Sequence, residues 1–549
     1  MPEESPELKP ACDPFSPSSH IFDEIYWEAK LLGMFQWKDF EDLDLPPCTY
    51  PKMFRGLPRF YGKTYPIKGN VKKTFGTFLQ LKKIYIDKAK LYLYRNIDLP
   101  VSPTLAMFVK IEEGEDLLLA GELQRFINEK VPQLHIDTFI AYGNNCLGNL
   151  STSSLKNGIY LEKQTRSFPR HHQELIEKAD VLLQYPNDFP ETKRVFENLR
   201  GAGFSGKKEA LGKNGSIEKF PFLESGRSLG LHFLEKGVLV YHREKIPKKE
   251  WLGTPLSLQF LNSKKPASKD LDWYFSDHDL NYFDARSQAA FLSAFSYVLH
   301  RQRGGEKHLD FFAPKEIWSR TLIERTKKLC EEHYCSDLYV HHPQQTEYDP
   351  LRKEGKTVRL FFLESITDKE KELLVDSTKD FLVVKNDWGF GKALLSRVPY
   401  FYDAPQEARS FLKDLISLAE YYLKGSRKTI SYLRTFSQNI LVKTGKTLYV
   451  EEEFFQKPAQ ESLLFTPQLL DATVVQDLFT LNQVIVRYFS ADILVLSLIK
   501  RGILHKKFRK VFHQEKRLEE QLLYGKISFS TFIQEMRTTL KPYTMQELI

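Results

Sequence analysis

Short apolar runs of strand length alternate with segments of helical period along most of this chain, and that alternation limits its fold more than any other feature. Thr104 to Ile111 (TLAMFVKI) is a continuous apolar run, and Glu112 to Lys130 carries Leu117, Leu118, Ala120, Leu123, Phe126 and Ile127 at helical spacing. Pro132 stops that helix, and His135 to Tyr142 (HIDTFIAY) reads as the next strand. Helix and strand recur at Leu175 to Ala179 and Val181 to Tyr185, then at Glu191 to Arg200 and Val238 to Tyr241. Fully apolar strands separated by helices imply parallel sheets covered on both faces, an α/β architecture. The glycine-rich stretch from Gly201 to Arg227 is expected to be a long connection or lid.

A second alternating set begins near Trp273. Leu271 to Phe275 is strand-like, Ala285 to Arg301 helical, Leu309 to Phe312 a strand, Ile317 to Glu332 a helix, and Leu338 to Val340 and Val358 to Leu363 strands. Thr367 to Ser377 reads as a helix with Thr367 as N-cap and Glu370 completing a capping box. Beyond Gly425 the pattern is mostly helical.

The most informative segment follows, Lys379 to Leu418. It reads as a buried strand (Phe381 to Val384), a polar turn with two glycines (Asn386 to Gly391), a short helix, a second strand (Val398 to Tyr402) and an amphipathic helix from about Gln406. Strand, glycine turn and helix N-terminus bring backbone N–H groups and the helix dipole onto a phosphate. The alternative is one more β-α-β unit whose turn needs glycine for conformation alone.

At 549 residues the chain is too long for one core. The expected division is a disordered Pro/Ser/Glu-rich start (1–19), a basic, aromatic-rich extension (20–99), an N-terminal Rossmann-like domain (100–265), a C-terminal Rossmann-like domain (266–425) and a helical region (426–549). No basic-flanked apolar leader stands at the N-terminus, and the longest uncharged apolar stretch, Ile493 to Ile499, is short of a membrane span. With five scattered cysteines, the expectation is a protein of a reducing, cytoplasmic compartment, although delivery by a signal-less secretion route leaves no mark in sequence.

The net charge of +8 is unevenly spread. Twelve Lys/Arg face only Asp87 between Lys52 and Arg95, and eight face only Glu515 between Lys500 and Arg517, so the remainder of the chain is acidic. Two basic patches on an acidic body point to an anionic partner. Tyr61, Tyr65, Phe75, Phe78, Tyr85, Tyr92 and Tyr94 interleave with the first patch, as on a surface that stacks bases, or as in an aromatic layer under a lysine face. The second is expected to rest on an anionic membrane or protein, or to be a solvated helix face.

Two α/β domains in tandem, with NDWGFGKAL (Asn386 to Leu394) and PYFYDAPQEARSFLKDL (Pro399 to Leu415) after successive strands, resemble glycosyltransferases of the GT-B fold, most nearly the bacterial enzymes that modify proteins. Trp388 and the stretch Tyr274 to His278 depart from the motifs expected there. The resemblance implies that a nucleotide-sugar, a co-substrate with no further cofactor and no metal, sits on the C-terminal domain. Its binding residues would be Asn386, Asp387, Gly389, Gly391, Lys392 and Asp403, with Lys392, Arg397 or Arg409 on the diphosphate and Asp403 on the ribose. The general base would come from Glu112, Glu113 or Asp277, beside His278. The expected function is sugar transfer to a macromolecular acceptor such as a protein. The alternative is a catalytically inactive relative that binds nucleic acid or a partner protein through its basic patches.

Three further motifs carry weaker signals. Gly226-Arg227-Ser228-Leu229-Gly230 has the spelling of a nucleophile elbow but lacks the strand-before, helix-after context. Cys330, Cys335, His333, His341 and His342 lack the spacing of a zinc knuckle. No Walker-type run is present.

Overall fold

A computed structural model describes residues 90–544, except 92, 100–101, 112–113, 143–157, 161–169, 187–206, 213–226, 232–236, 241–245, 262, 264, 304, 334–336, 342–356, 365, 406–407, 424–425, 438–462 and 524–525. The extension up to residue 89, the expected helix Glu191 to Arg200, and Glu112 and Glu113 lie outside the described residues.

The first sheet is built from β1 (Thr104–Ile111), α1 (Gly114–Lys130), β2 (His135–Tyr142), β3 (Gly158–Tyr160), α2 (Arg170–Lys178), β4 (Val181–Gln184), β5 (Lys207–Gly212) and β6 (Arg227–Ser228). Its strands are parallel in the order β3-β2-β1-β4-β5-β6. This is the 3-2-1-4-5-6 order of dinucleotide-binding sheets. β1 lies in the middle, and Leu105 to Val109 are entirely buried, which explains why its sequence is apolar without alternation. The expected lid from Gly201 to Arg227 is corrected: it contributes β5 and begins β6. A strand such as KKEALG shows no apolar signal, and pairing with β4 makes it one.

The second sheet follows α3 (Pro255–Phe260) and α4 (Ser268–Asp277). It comprises β7 (His278–Phe283), α5 (Gln288–Arg301), β8 (His308–Pro314), α6 (Arg320–His333), β9 (Asp337–His341), β10 (Thr357–Leu363), α7 (Asp368–Ser377), β11 (Leu382–Val384), α8 (Asp387–Leu395), β12 (Tyr400–Tyr402) and α9 (Arg409–Tyr422). All pairs are parallel, in the order β12-β11-β7-β8-β10-β9. The capping box at Thr367 is present: Thr367 Oγ1 accepts from Glu370 N, and Glu370 Oε2 accepts from Thr367 N at 2.9 Å.

The strand expected at Leu271 to Phe275 is instead the middle of α4. Leu271, Tyr274 and Phe275 stand at i, i+3 and i+4 and are all buried, a helical face that a short apolar run conceals. The true strand is the next segment, β7, whose polar residues hide it. Asn281 is fully buried there and its Oδ1 accepts from Asp380 N and Phe381 N, both at 3.1 Å.

Val238 to Val240 belong to neither sheet. Val238 N donates to Phe489 O at 2.7 Å, Ala491 N to Val238 O at 2.8 Å and Val240 N to Asp492 Oδ1 at 2.8 Å. The crossing from one sheet to the other is thereby held by the junction of two C-terminal helices. The C-terminal helices are α10 (Arg427–Arg434), α11 (Ala472–Phe489), α12 (Asp492–Lys507), α13 (Arg509–Leu523) and α14 (Phe529–Leu540), and the junction is that of α11 and α12.

The described residues form two buried apolar clusters. The larger runs through both sheets and into α11, joining β1, β8 and β11 to Leu478 and Ile485. The smaller unites Leu91, Tyr94 and Ile97 with α12, α13 and α14. Among the described residues no helix is long and apolar enough to cross a membrane.

Candidate functional site

In an open parallel sheet the ligand crevice lies outside the carboxyl ends of the strands, where the strand order reverses. In the second sheet the chain leaves β7 toward β8 on one side and later returns to β11 on the other, so the reversal falls between β7 and β11. The ladder there extends one step further, with Asp284 N donating to Val383 O at 3.0 Å. Beyond it stand Asp284 and Arg286 after β7, and Lys385 and Asn386 after β11. Arg286 donates to Lys385 O from Nε at 3.1 Å and Nη2 at 3.0 Å, and Lys385 Nζ lies 2.9 Å from Asp284 Oδ1. Two cations are thus gathered at the switch point, Arg286 exposed and Lys385 half-buried.

The rim continues past β8. Gln288 Nε2, in the first turn of α5, donates to Ile317 O at 3.0 Å and to Ser319 Oγ at 2.9 Å, tying that loop to the β7 exit. Between those two acceptors Trp318 is 44% exposed, one of three large apolar side chains so exposed among the described residues. Lys315, at the same exit, forms an ion pair with Glu364 at the end of β10. The rim therefore offers cations and an aromatic face, the chemistry that suits a phosphorylated, planar ligand.

Of the sequence-expected residues, several lie near this rim with their polar atoms already engaged. Asp403 is fully buried, and its Oδ2 accepts from Arg286 N at 2.7 Å, Ser287 N at 3.0 Å and Ser287 Oγ at 3.3 Å. It secures the turn that opens α5. Asn386 is the N-cap of α8, its Oδ1 accepting from Gly389 N at 2.7 Å, and Asp387 Oδ1 accepts from the Tyr402 hydroxyl at 3.5 Å.

The two-glycine turn expected from Asn386 to Gly391 is corrected, because the helix starts at Asp387 and contains both glycines. Their missing side chains serve close packing. A Cβ on Gly389 would lie 2.8 Å from Val384 Cβ, and one on Gly391 would lie 2.4 Å from Leu239 O. Trp388 and Phe390 are buried beside them.

Lys392 turns toward the first domain. Its Nζ is 3.8 Å from Glu122 Oε2 of α1, and Arg125 pairs with Glu122 and, at 2.5 Å, with Glu372 of α7. Both carboxylates are buried, so this network joins the two sheets. Arg397 is exposed ahead of β12, at the amino end of the sheet.

Asp277 and His278 also stand at the amino end, closing α4 and opening β7, away from the rim. Asp277 Oδ1 accepts from Ser276 Oγ at 2.8 Å. His278 belongs to a buried network around Asp310. Asp310 accepts from Arg359 Nε at 2.8 Å and from the Tyr274 hydroxyl at 2.6 Å, with His278 Nδ1 at 3.3 Å. Burial pushes the Asp310 carboxyl up, but Arg359 and then His278 outweigh it and hold it well below the usual carboxylate range. Burial and the neighbouring Asp310 charge push the Tyr274 hydroxyl well up.

Ser228 lies in a two-residue strand, and Gly230 after it bridges antiparallel to Gly237, so the elbow spelling carries no elbow. Cys330 is buried on α6, its thiol pushed up to about 12 by burial and then by Glu331. Among the described residues no His, Cys, Asp and Glu side chains gather as metal ligands.

Arg286, Lys385, Lys315 and Trp318 escaped the sequence reading. Their signal is position: each follows a parallel strand by a few residues. Recognising Arg286 required recognising β7, which its buried polar residues disguised.

No family model and no curated protein matches the chain. Solved structures similar to it include MurG of Acinetobacter baumannii (9% identity, 73% of this chain and 100% of that one, TM-score 0.37). Others are the glycotransferase of kitacinnamycin (11%, 74% and 100%, TM-score 0.37) and the E. coli ADP-heptose LPS heptosyltransferase II (13%, 69% and 98%, TM-score 0.31). The fold assignment rests on strand order and register rather than on those superpositions. Two parallel, helix-covered sheets in tandem, the first in 3-2-1-4-5-6 order, make this a fold of two Rossmann-like domains.

Proposed function

We propose that the protein binds a nucleotide-sugar at the β7/β11 rim and transfers its hexosyl or deoxyhexosyl group to a macromolecular acceptor, such as a protein, held by the first domain. The observation that carries this reading is the placement of Arg286 and Lys385 just past the carboxyl ends of the two strands between which the order reverses. Sugar transfer needs positive charge where the diphosphate departs and a base at the acceptor hydroxyl or amide. Arg286 and Lys385 supply the first, with Lys315 and the Asn386-capped end of α8 beside them, and Trp318 offers a face for the base. Asp403 contributes by fixing the Arg286 backbone rather than by touching the ribose. The acceptor-side base is assigned to Glu112 or Glu113, which follow the central strand of the first sheet in sequence, and not to Asp277.

A thermal-shift titration of the whole protein against UDP, GDP, ADP and dTDP and their sugars tests the reading, since a ligand that binds only the folded state raises the melting temperature. One nucleoside diphosphate raises it, and Arg286→Ala with Lys385→Ala removes the shift. A flat response to all of them, with the protein folded, refutes it.

A second reading is a non-catalytic relative that binds nucleic acid or a partner protein. It is favoured by the internal engagement of Asn386, Asp403 and Lys392. It requires a flat nucleotide screen together with a salt-sensitive affinity for RNA, DNA or an acidic protein.

A further inference from the structure

One side chain ties the loop after β8 to the turn after β7. Ser287 is extended (φ −123°, ψ 146°) and N-caps α5, its Oγ accepting from Ala290 N at 3.2 Å. Asp403 holds this turn from the β12 side, through Arg286 N and Ser287 N. On the other side the half-buried Gln288 donates from Nε2 to Ile317 O at 3.0 Å and to Ser319 Oγ at 2.9 Å. A carbonyl oxygen only accepts, so it is the amide nitrogen that points there.

The loop does not depend on Gln288 for its own shape. Trp318 N donates to Lys315 O at 2.9 Å, closing the turn, and Ser319 Oγ accepts from Leu322 N at 3.1 Å, capping α6. What Gln288 adds is the position of the loop relative to α5, and so of the exposed Trp318 relative to Arg286. Two steps of extended chain, about 7 Å, separate Arg286 from Gln288. Arg286 itself grips Lys385 O. Hydrogen bonds and this short piece of chain thus connect both neighbours of Trp318 to the two cations of the rim.

We infer that Gln288 is a positioning residue that holds Trp318 beside Arg286 and Lys385, so that the rim takes the base and the diphosphate of one ligand together and selects a nucleoside diphosphate over bare pyrophosphate. This rests on the nucleotide-binding reading of the rim and assigns the nucleoside half of the ligand to the loop after β8. A base stacked on an aromatic ring gains about 5- to 150-fold in affinity. An untethered loop would give part of that gain back as ordering entropy, and the Gln288 tether removes the loss in advance.

The test is calorimetric titration of the full chain with UDP, ADP, GDP, dTDP and inorganic pyrophosphate, in the wild type, Gln288→Leu, Trp318→Ala and the double variant. Gln288→Asn, one methylene too short to reach both acceptors, replaces Gln288→Leu should the melting temperature show that the latter does not fold. At least one nucleoside diphosphate binds the wild type more tightly than pyrophosphate does. Gln288→Leu loses about tenfold for that nucleotide and nothing for pyrophosphate. Trp318→Ala loses the same or more, and the double variant loses no more than Trp318→Ala, because Gln288 acts only through Trp318. A purely structural Gln288 would instead lower the melting temperature and weaken both ligands in step, which overturns the inference. So do losses that add in the double variant, or a nucleotide affinity that Gln288→Leu leaves unchanged. Binding of pyrophosphate with no preference for any nucleotide overturns it while sparing the cationic rim. A wild type that binds none of the five ligands sinks the reading of the rim itself, and this inference with it.

Discussion

The two ends of the second sheet hold similar numbers of charged groups in opposite conditions. At the amino half, Asp310, Arg359 and Tyr274 are sealed from water and bonded to one another with the buried His278 ring stacked on Tyr274, and Arg359 Nη1 also donates to Phe260 O at 3.0 Å. At the carboxyl rim, Arg286 is exposed, Lys385 and Lys315 are partly so, and Trp318 faces solvent. Breaking a sealed network leaves a desolvated charge with no partner, whereas removing an open one returns its partner to water. Breaking the charge network at the first end is therefore costly to the fold, whereas the ion pairs at the second lie where solvent reaches them.

Asp310→Ala tests the sealed end most severely. It strands Arg359 and is expected to lower unfolding free energy by about 3–5 kcal/mol in a denaturant titration, while a loss within about 1 kcal/mol would abolish the distinction between the ends. Because the folded carboxyl titrates below its unfolded value, the wild-type contribution is present above the ordinary carboxylate range. It is lost as pH falls toward the depressed folded value.

Gly391→Ala comes next, at about 1–3 kcal/mol of destabilisation, since the new methyl meets Leu239 O. A neutral result would mean that α8 can move off the inter-sheet crossing, and would restore its amino end as a ligand site. His308 gives a smaller, pH-dependent effect. Its Nδ1 accepts from Thr357 N at 3.1 Å, and burial, then His278, lowers its basicity. The unfolded imidazole protonates first as pH drops below about 6.5, so the melting temperature should fall between pH 7 and pH 5. His308→Gln should flatten that slope. The smallest stability effect is expected at the open rim, where Arg286→Ala with Lys385→Ala costs less than about 1 kcal/mol yet abolishes the nucleotide-dependent shift.

Much of the fold was legible because some signals are local. The run TLAMFVKI at β1, the capping box at Thr367 and the helical spacing in α1 need only neighbouring residues to be recognised. What misled was also local. LDWYF reads as a strand because one buried helical turn and a half looks apolar throughout, and HDLNYF hides a strand because its buried Asn281 is satisfied by residues about a hundred positions away. In the candidate site, Asn386 to Asp403 were found by motif, but their commitments to Gly389, Tyr402 and Ser287 were not visible.

The sequence by itself determined that the chain alternates strand and helix in two sets, that its strands are buried on both faces, and that its charge is concentrated in two basic stretches. Those properties follow from side-chain periodicity and composition, which act over a few residues. Only the tertiary structure decided which strands are neighbours, hence that the order reverses between β7 and β11 and that Arg286 and Lys385 meet there. It also decided that Asp403 caps a neighbouring turn and that Gly391 is a packing contact. Strand order and burial arise from pairing and packing between residues far apart in the chain, and no local pattern encodes them.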